Sequence, residues 1–240
     1  MFLLPPIWHY LKGWHEIILM GFMNCDWSVM VQTKKVYLYV FHTMSDWEYG
    51  YLIAELHSGR YFKKDVAPLK VVTAGANKEM ITTMGGLSIK PDIILDECTL
   101  ESKDLLILPG GNTWGEDIHQ PILKKVGEAL KLGTTVAAIC GATVGLANSG
   151  YLDSRKHTSN DLEYMKMVCP TYQGETFYEK APAVSDENLV TASGIAPLEF
   201  AMEVLKKLDV FAPDTLHSWY KLNKTHKPEY FFELMNTING

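Results

Sequence analysis

The chain has 240 residues, 47% of them apolar, and a formal net charge of −6. That length supports one sizeable core rather than two, and the acidic balance excludes a basic nucleic-acid footprint. Cys25, Cys98, Cys140 and Cys169 form no C-x-x-C pair, which excludes a disulfide framework or zinc ribbon and implies free thiols in a reducing cytoplasm.

Residues 1–32 are aromatic-rich and show neither helical nor strand periodicity. They lack a basic n-region, Pro5-Pro6 interrupt them, and the apolar run 17–23 is too short to span a bilayer. They read as an accessory or poorly ordered N-terminal extension, or as residues upstream of a start at Met30. No membrane association is expected.

From Lys34 the pattern becomes regular. Residues 35–41 (KVYLYVF) read as a buried strand, and 46–57 as a helix capped by Ser45 or Asp46. A short strand at 69–73 is followed by a hairpin, 80–83 with 87–89, turned by Gly85-Gly86. The run 104–108 (DLLIL) is a strand stopped by Pro109-Gly110-Gly111, and 121–132 a helix closed by Gly133. A strand at 134–139 (TTVAAI) leads into a helix at 142–148. A helix at 160–168, strands at 176–178 and 189–192, and an amphipathic helix at 197–208 with proline in its first turn follow. Two further helical stretches, 214–222 and 228–236, form a C-terminal appendage over 209–240. Strands alternating with helices predict an α/β three-layer sandwich, a mainly parallel sheet with helices on both faces, over residues 33–208.

Ligands of such sheets bind at the carboxyl ends of the strands. Cys140 sits there, between TTVAAI and a helix, with small Gly141 and Ala142 after it. A strand-to-helix turn pushes its side chain out of the sheet, and the helix N-terminus favours a thiolate, lowering the thiol pKa. Leu108-Pro109-Gly110-Gly111-Asn112 reaches the same edge and offers backbone N–H groups to an oxyanion. Glu48, placed just inside the first helix, is the acid best positioned to meet Cys140. Each feature alone has a plainer reading: a buried small hydrophobe, an ordinary turn, an exposed carboxylate. No G-x-G-x-x-G after a strand, P-loop or H-E-x-x-H is present, so no nucleotide, flavin or metal cofactor is expected.

Together, S-D-W-E-Y with Glu48, DLLILPGGN, VAAICGAT-x-G-L-A, G-Y-L-D-S-R-K-H-T-S and LVTASG-x-A-P-L-E-F-A resemble the DJ-1/PfpI superfamily, related to glutamine amidotransferases, in the family's order over residues 34–208. The resemblance implies a flavodoxin-like fold, Cys140 as the reactive residue and Glu48 as the acid hydrogen-bonded to it. It implies oxyanion donors at Gly111 and at Gly141 or Ala142, and a homodimer. The sequence departs from the family at the histidines. The protease-like branch has one directly after the cysteine, where this chain has Gly141. The glyoxalase and deglycase branch has one in the loop after the elbow helix, a position that falls on Asn160, with His157 three residues earlier. The amidotransferase His-x-Glu is missing at 194–199. His157 and His42 are the remaining candidate bases. The expected function is a cysteine hydrolase, protease- or amidotransferase-like, or an enzyme processing reactive carbonyls. The alternatives are a stress-response or redox-sensing protein oxidised at Cys140, and a binding module that keeps the fold alone.

Overall fold

The computed structural model describes residues 34–239; the N-terminal extension expected over 1–32 lies outside them. Seven strands form one sheet in the order β5-β2-β1-β6-β7-β9-β8. They are β1 (Val36–Tyr39), β2 (Val71–Gly75), β5 (Ile93–Ile94), β6 (Leu105–Leu108), β7 (Thr135–Ile139), β8 (Ala183–Asp186) and β9 (Leu189–Ala192). All neighbours run parallel except β8, which pairs antiparallel with β9 at the edge. A separate hairpin joins β3 (Ile81–Thr82) to β4 (Ser88–Ile89).

The central strands are apolar throughout because both faces are covered. Every residue of β1, β6, β7 and β9 is buried. The covering helices are α1 (Gly50–Ser58), α2 (Gln120–Leu132), α3 (Gly141–Asn148), α4 (Leu162–Val168) and α5 (Pro197–Leu208). Helix α1 packs with α5, and both α2 and α3 pack on β7. This is a flavodoxin-like α/β sandwich. Gly59 and Gly133, at φ +59° and +80°, end α1 and α2 in the left-handed conformation that glycine adopts without steric cost.

Two more helices follow, α6 (Pro213–Thr225) and α7 (Pro228–Asn239). Helix α6 is tied to the sandwich through buried acids. The Trp219 indole N–H donates to Glu55 at 3.0 Å, which also holds Arg60 in an ion pair. Glu199 accepts from Lys224 at 2.7 Å and Tyr220 at 3.0 Å.

Three local expectations are corrected. The first helix starts at Gly50, not Asp46, because its expected caps are engaged elsewhere. The Asp46 carboxylate accepts the Gly85 N–H of the β3–β4 hairpin, and Trp47 donates to Gly194 O at 3.1 Å. Glu48 therefore lies in the bend before α1. Residues 176–178 are not a strand: Glu175–Phe177 is a 3₁₀ turn, followed by an isolated bridge between Tyr178 and His157. Helix α4 begins at Leu162, since Asp161 caps it by accepting the Tyr164 N–H at 2.8 Å.

Candidate active site

Cys140 occupies the turn between β7 and α3 at φ +59°, ψ −125°. A non-glycine residue there carries strain of about 1–3 kcal/mol. The conformation turns the partly buried side chain away from the sheet, and the Cys140 N–H still donates to Ala192 O at 3.0 Å.

Three glycines from two other strand ends close around it. A methyl group added at Gly110, after β6, would sit 2.7 Å from Cys140 Cβ and 2.7 Å from both Glu48 oxygens. One added at Gly194, after β9, would lie 2.6 Å from the sulfur and 3.2 Å from Glu48 Oε1. At Gly111 it would meet the Phe41 ring at 2.6 Å. Real side-chain carbons do not approach this closely, so Gly110→Ala is expected to push the sulfur and the carboxyl apart. It should slow Cys140 alkylation at neutral pH by about tenfold or more and cost about 1–3 kcal/mol of stability. Unaltered alkylation and denaturation curves would contradict this packing.

Glu48 is fully buried. One carboxyl oxygen accepts a short hydrogen bond from the Gly110 N–H, while Oε1 has no geometrically formed partner among the described residues. Burial pushes the carboxyl pKa up, against the Gly110 N–H and the neighbouring Cys140 and Ser45 side chains. An unpartnered buried oxygen beside a sulfur suits a protonated carboxyl, which donates where a carboxylate can only accept.

The sulfur has its own donors. Asn160 Nδ2 stands 3.3 Å from Sγ, and the Gly141 N–H also acts on it. Burial nevertheless pushes the thiol up to about 11; Asn160 pulls it down, and a charged Glu48 pushes it further up. This corrects the expected lowering by the helix N-terminus: desolvation beside an acid outweighs the partial charge of α3. Each group acts on the other's ionisation, and a thiolate forms wherever the thiol proton passes to Glu48.

Cys140 opens into a cleft of about 430 Å³ lined by Gly111, Gly141, Trp114, Asn160 and Tyr164, among others. The Gly111 nitrogen lies 3.6 Å from the position a Gly141 side chain would take. Trp114 is fixed by Nε1 donating to Pro109 O at 2.9 Å and by stacking on His119 at 4.4 Å. The His119 nitrogens bond Tyr39 OH at 3.0 Å and Thr113 Oγ1 at 2.9 Å. Burial pushes His119 down to about 4, so this ring is neutral.

Cys140, Glu48, Gly111 and Gly141 are thus gathered at one sheet edge. The candidate bases are placed elsewhere. His157 is buried, with Nδ1 at 2.6 Å from Arg155 O and Nε2 at 2.6 Å from Tyr172 OH. His42 Nδ1 accepts the Thr82 N–H at 3.1 Å. Asn160, Gly194 and the Trp114–His119 stack are additional parts that the sequence reading did not assign to the site. The resemblance marks Asn160 only as the place of a missing histidine. Among the described residues, no cluster of three or more His, Cys, Asp or Glu could hold a metal, and no helix is long and apolar enough to cross a membrane.

The DJ-1/PfpI family model matches residues 34–207. A Bacillus subtilis (strain 168) protein named "Uncharacterized protease YoaZ" is 88% identical over 209 residues, 87% of this chain and 100% of that protein. The "Glutathione-independent glyoxalase DJR-1.2" of Caenorhabditis elegans is 27% identical over 158 residues, 64% of this chain and 80% of its own. The crystal structure of a thiJ/pfpI family protein from Bacillus anthracis is 82% identical and superimposes with a TM-score of 0.85, covering 87% of this chain and 99% of that one. With the sheet, the strained elbow cysteine and the match over 34–207 in agreement, this chain belongs to the DJ-1/PfpI family.

Proposed function

We propose that the chain is a cysteine-dependent enzyme acting on small reactive carbonyl compounds such as 2-oxoaldehydes. The observation that supports this most is the Cys140–Glu48 pair: a buried acid with a raised pKa and an orphaned oxygen beside the sulfur, with no histidine among the described residues bonded to either. One carboxyl group can then carry out all the proton transfers. The thiolate adds to the aldehyde carbon while Glu48 protonates the oxygen, whose developing charge the Gly111 and Gly141 N–H groups receive. The Glu48 carboxylate next removes the proton from that carbon and delivers it to the neighbouring carbonyl carbon, while the hydroxyl proton passes to the former carbonyl oxygen, leaving a 2-hydroxy thioester. Water hydrolyses the thioester to a 2-hydroxy acid and frees Cys140. The sum is 2-oxoaldehyde plus water to 2-hydroxy acid, with no external oxidant or reductant. The C. elegans relative's name supports the same chemistry.

Peptide hydrolysis, which the Bacillus subtilis relative's name suggests, fits less well. It usually relies on a histidine both to activate the thiol and to protonate the leaving amine, and His157 and His42 are bonded elsewhere, which would load both roles on Glu48. A redox-sensing role is the second reading. It is favoured by Cys140 lining the cleft with its sulfur facing the Asn160 and Gly141 donors, which would stabilise a sulfinate. A cytoplasmic homodimer belongs to the proposal as well.

The test is incubation with a 2-oxoaldehyde in the absence of glutathione. The 2-hydroxy acid is expected to accumulate over many turnovers. No product, with peroxide adding two oxygens to Cys140, would replace the enzyme reading with the sensor.

A further inference from the structure

The geometry assigns Asn160 as a further catalytic residue: its side-chain amide is an oriented donor that holds the Cys140 sulfur as thiolate and aims it into the cleft. The assignment rests on Cys140 being the reacting atom of the proposed site.

The two ends of an amide are chemically distinct, and here their neighbours decide which faces which. Asn160 Oδ1 receives the Gly194 N–H at 2.8 Å and the Ser193 hydroxyl at 3.4 Å. A backbone N–H can only donate, so the oxygen must face Gly194 and the NH₂ must face the sulfur, 3.3 Å away. An NH₂ group gives a hydrogen bond to sulfur and cannot take its proton. It therefore favours thiolate over thiol, since bonds to a charged acceptor are roughly twice as strong as neutral ones.

The amide is held before any substrate arrives. Thr158, two residues earlier, donates its N–H to Thr191 Oγ1 at 2.8 Å and its hydroxyl to Ala181 O at 2.8 Å. Gly194 is held in turn by Trp47 Nε1 on its carbonyl at 3.1 Å. A path of hydrogen bonds thus runs from the bend carrying Glu48, through the loop after β9, to the sulfur. Among the described residues Glu48 is the titratable group acting on that sulfur, so donor and acid oppose each other there. Asn160 shifts the shared proton toward Glu48, and Glu48 in its charged form shifts it back.

The test measures Cys140 alkylation by iodoacetamide, a neutral reagent, against pH in the full-length wild type, Asn160→Ala and Asn160→Asp. Peptide mass spectrometry reads the modified site, and circular dichroism checks the fold. Asn160→Ala is expected to lower the rate at pH 7–8 by about tenfold and move the alkaline rise to higher pH. Asn160→Asp keeps an acceptor for the Gly194 N–H while removing the donor and adding charge, and is expected to lower the rate further. It also serves if the alanine variant does not fold. Profiles that superimpose on wild type in folded variants would overturn the assignment. 2-Oxoaldehyde turnover by wild type, measured beside it, separates the two claims. A shifted profile without turnover keeps Asn160 and removes the carbonyl reading. Turnover with unshifted profiles does the reverse.

Discussion

Cys140→Ser is expected to lower 2-oxoaldehyde turnover by on the order of 10⁴–10⁶-fold, the scale seen when a covalent nucleophile is removed. Serine can adopt the same strained backbone and is smaller than cysteine, so the fold should survive. What fails is ionisation. A serine hydroxyl needs a strong neighbouring base, and among the described residues the titratable group acting on this position is Glu48, a carboxylate far weaker as a base than an alkoxide. The thiol avoids this because its pKa and that of Glu48 are both displaced upward by burial. Turnover is to be compared by product formation, with thermal unfolding as the control. A serine variant within tenfold of wild type would mean that the chemistry does not pass through this atom.

Glu48→Gln is expected to lower turnover by about 10²–10⁴-fold, the usual worth of a general acid–base group, while stabilising the fold at neutral pH. The amide oxygen still accepts the Gly110 N–H, but no proton can be exchanged with sulfur or substrate. The stability effect follows from burial. The folded-state pKa of Glu48 lies above its unfolded value. Its contribution to stability is therefore complete below about pH 4 and is lost as pH rises through the folded value. Glutamine carries no such loss, so the variant's advantage should grow from acid toward neutral pH, by about 1.4 kcal/mol for each unit of the shift. Denaturant unfolding at pH 4 and pH 7.5 measures it. An equal difference at both pH values would show that Glu48 is not titrating as a buried acid.

Much of the fold is legible because its central strands are continuous apolar runs. KVYLYVF, DLLIL and TTVAAI each follow a lysine or a glycine and carry an uninterrupted apolar stretch, which suits a doubly covered sheet. The strands not anticipated are β5, only two residues long, and β8, whose AVSD pattern alternates on an edge. Cys140 was legible from its place between a buried strand and a helix. Glu48 and the Gly110-Gly111 turn were legible as features reaching the same edge. Asn160 was not, because the direction of a loop amide depends on a backbone N–H from residue 194. The thiol's direction of shift was also missed. A helix N-terminus can be read from sequence, but the depth at which sulfur and carboxyl share a dry site is set by Gly110 and Gly194 together. The Trp114–His119 stack combines residues of one loop with Tyr39 and Phe41 of the β1 region, a tertiary meeting that no local pattern encodes.

The central claim is that Cys140 and Glu48 share one proton across neutral pH. The most direct measurement is the rate of Cys140 alkylation from pH 5 to pH 10.5, in wild type and Glu48→Gln, with the modified peptide identified by mass. The account predicts two rises in wild type separated by a plateau. The first lies above the ordinary carboxyl range, and the second heads toward about 11. In Glu48→Gln the two should merge into a single rise. One rise at or above the free-thiol value in both proteins, with no reaction at neutral pH, would contradict it.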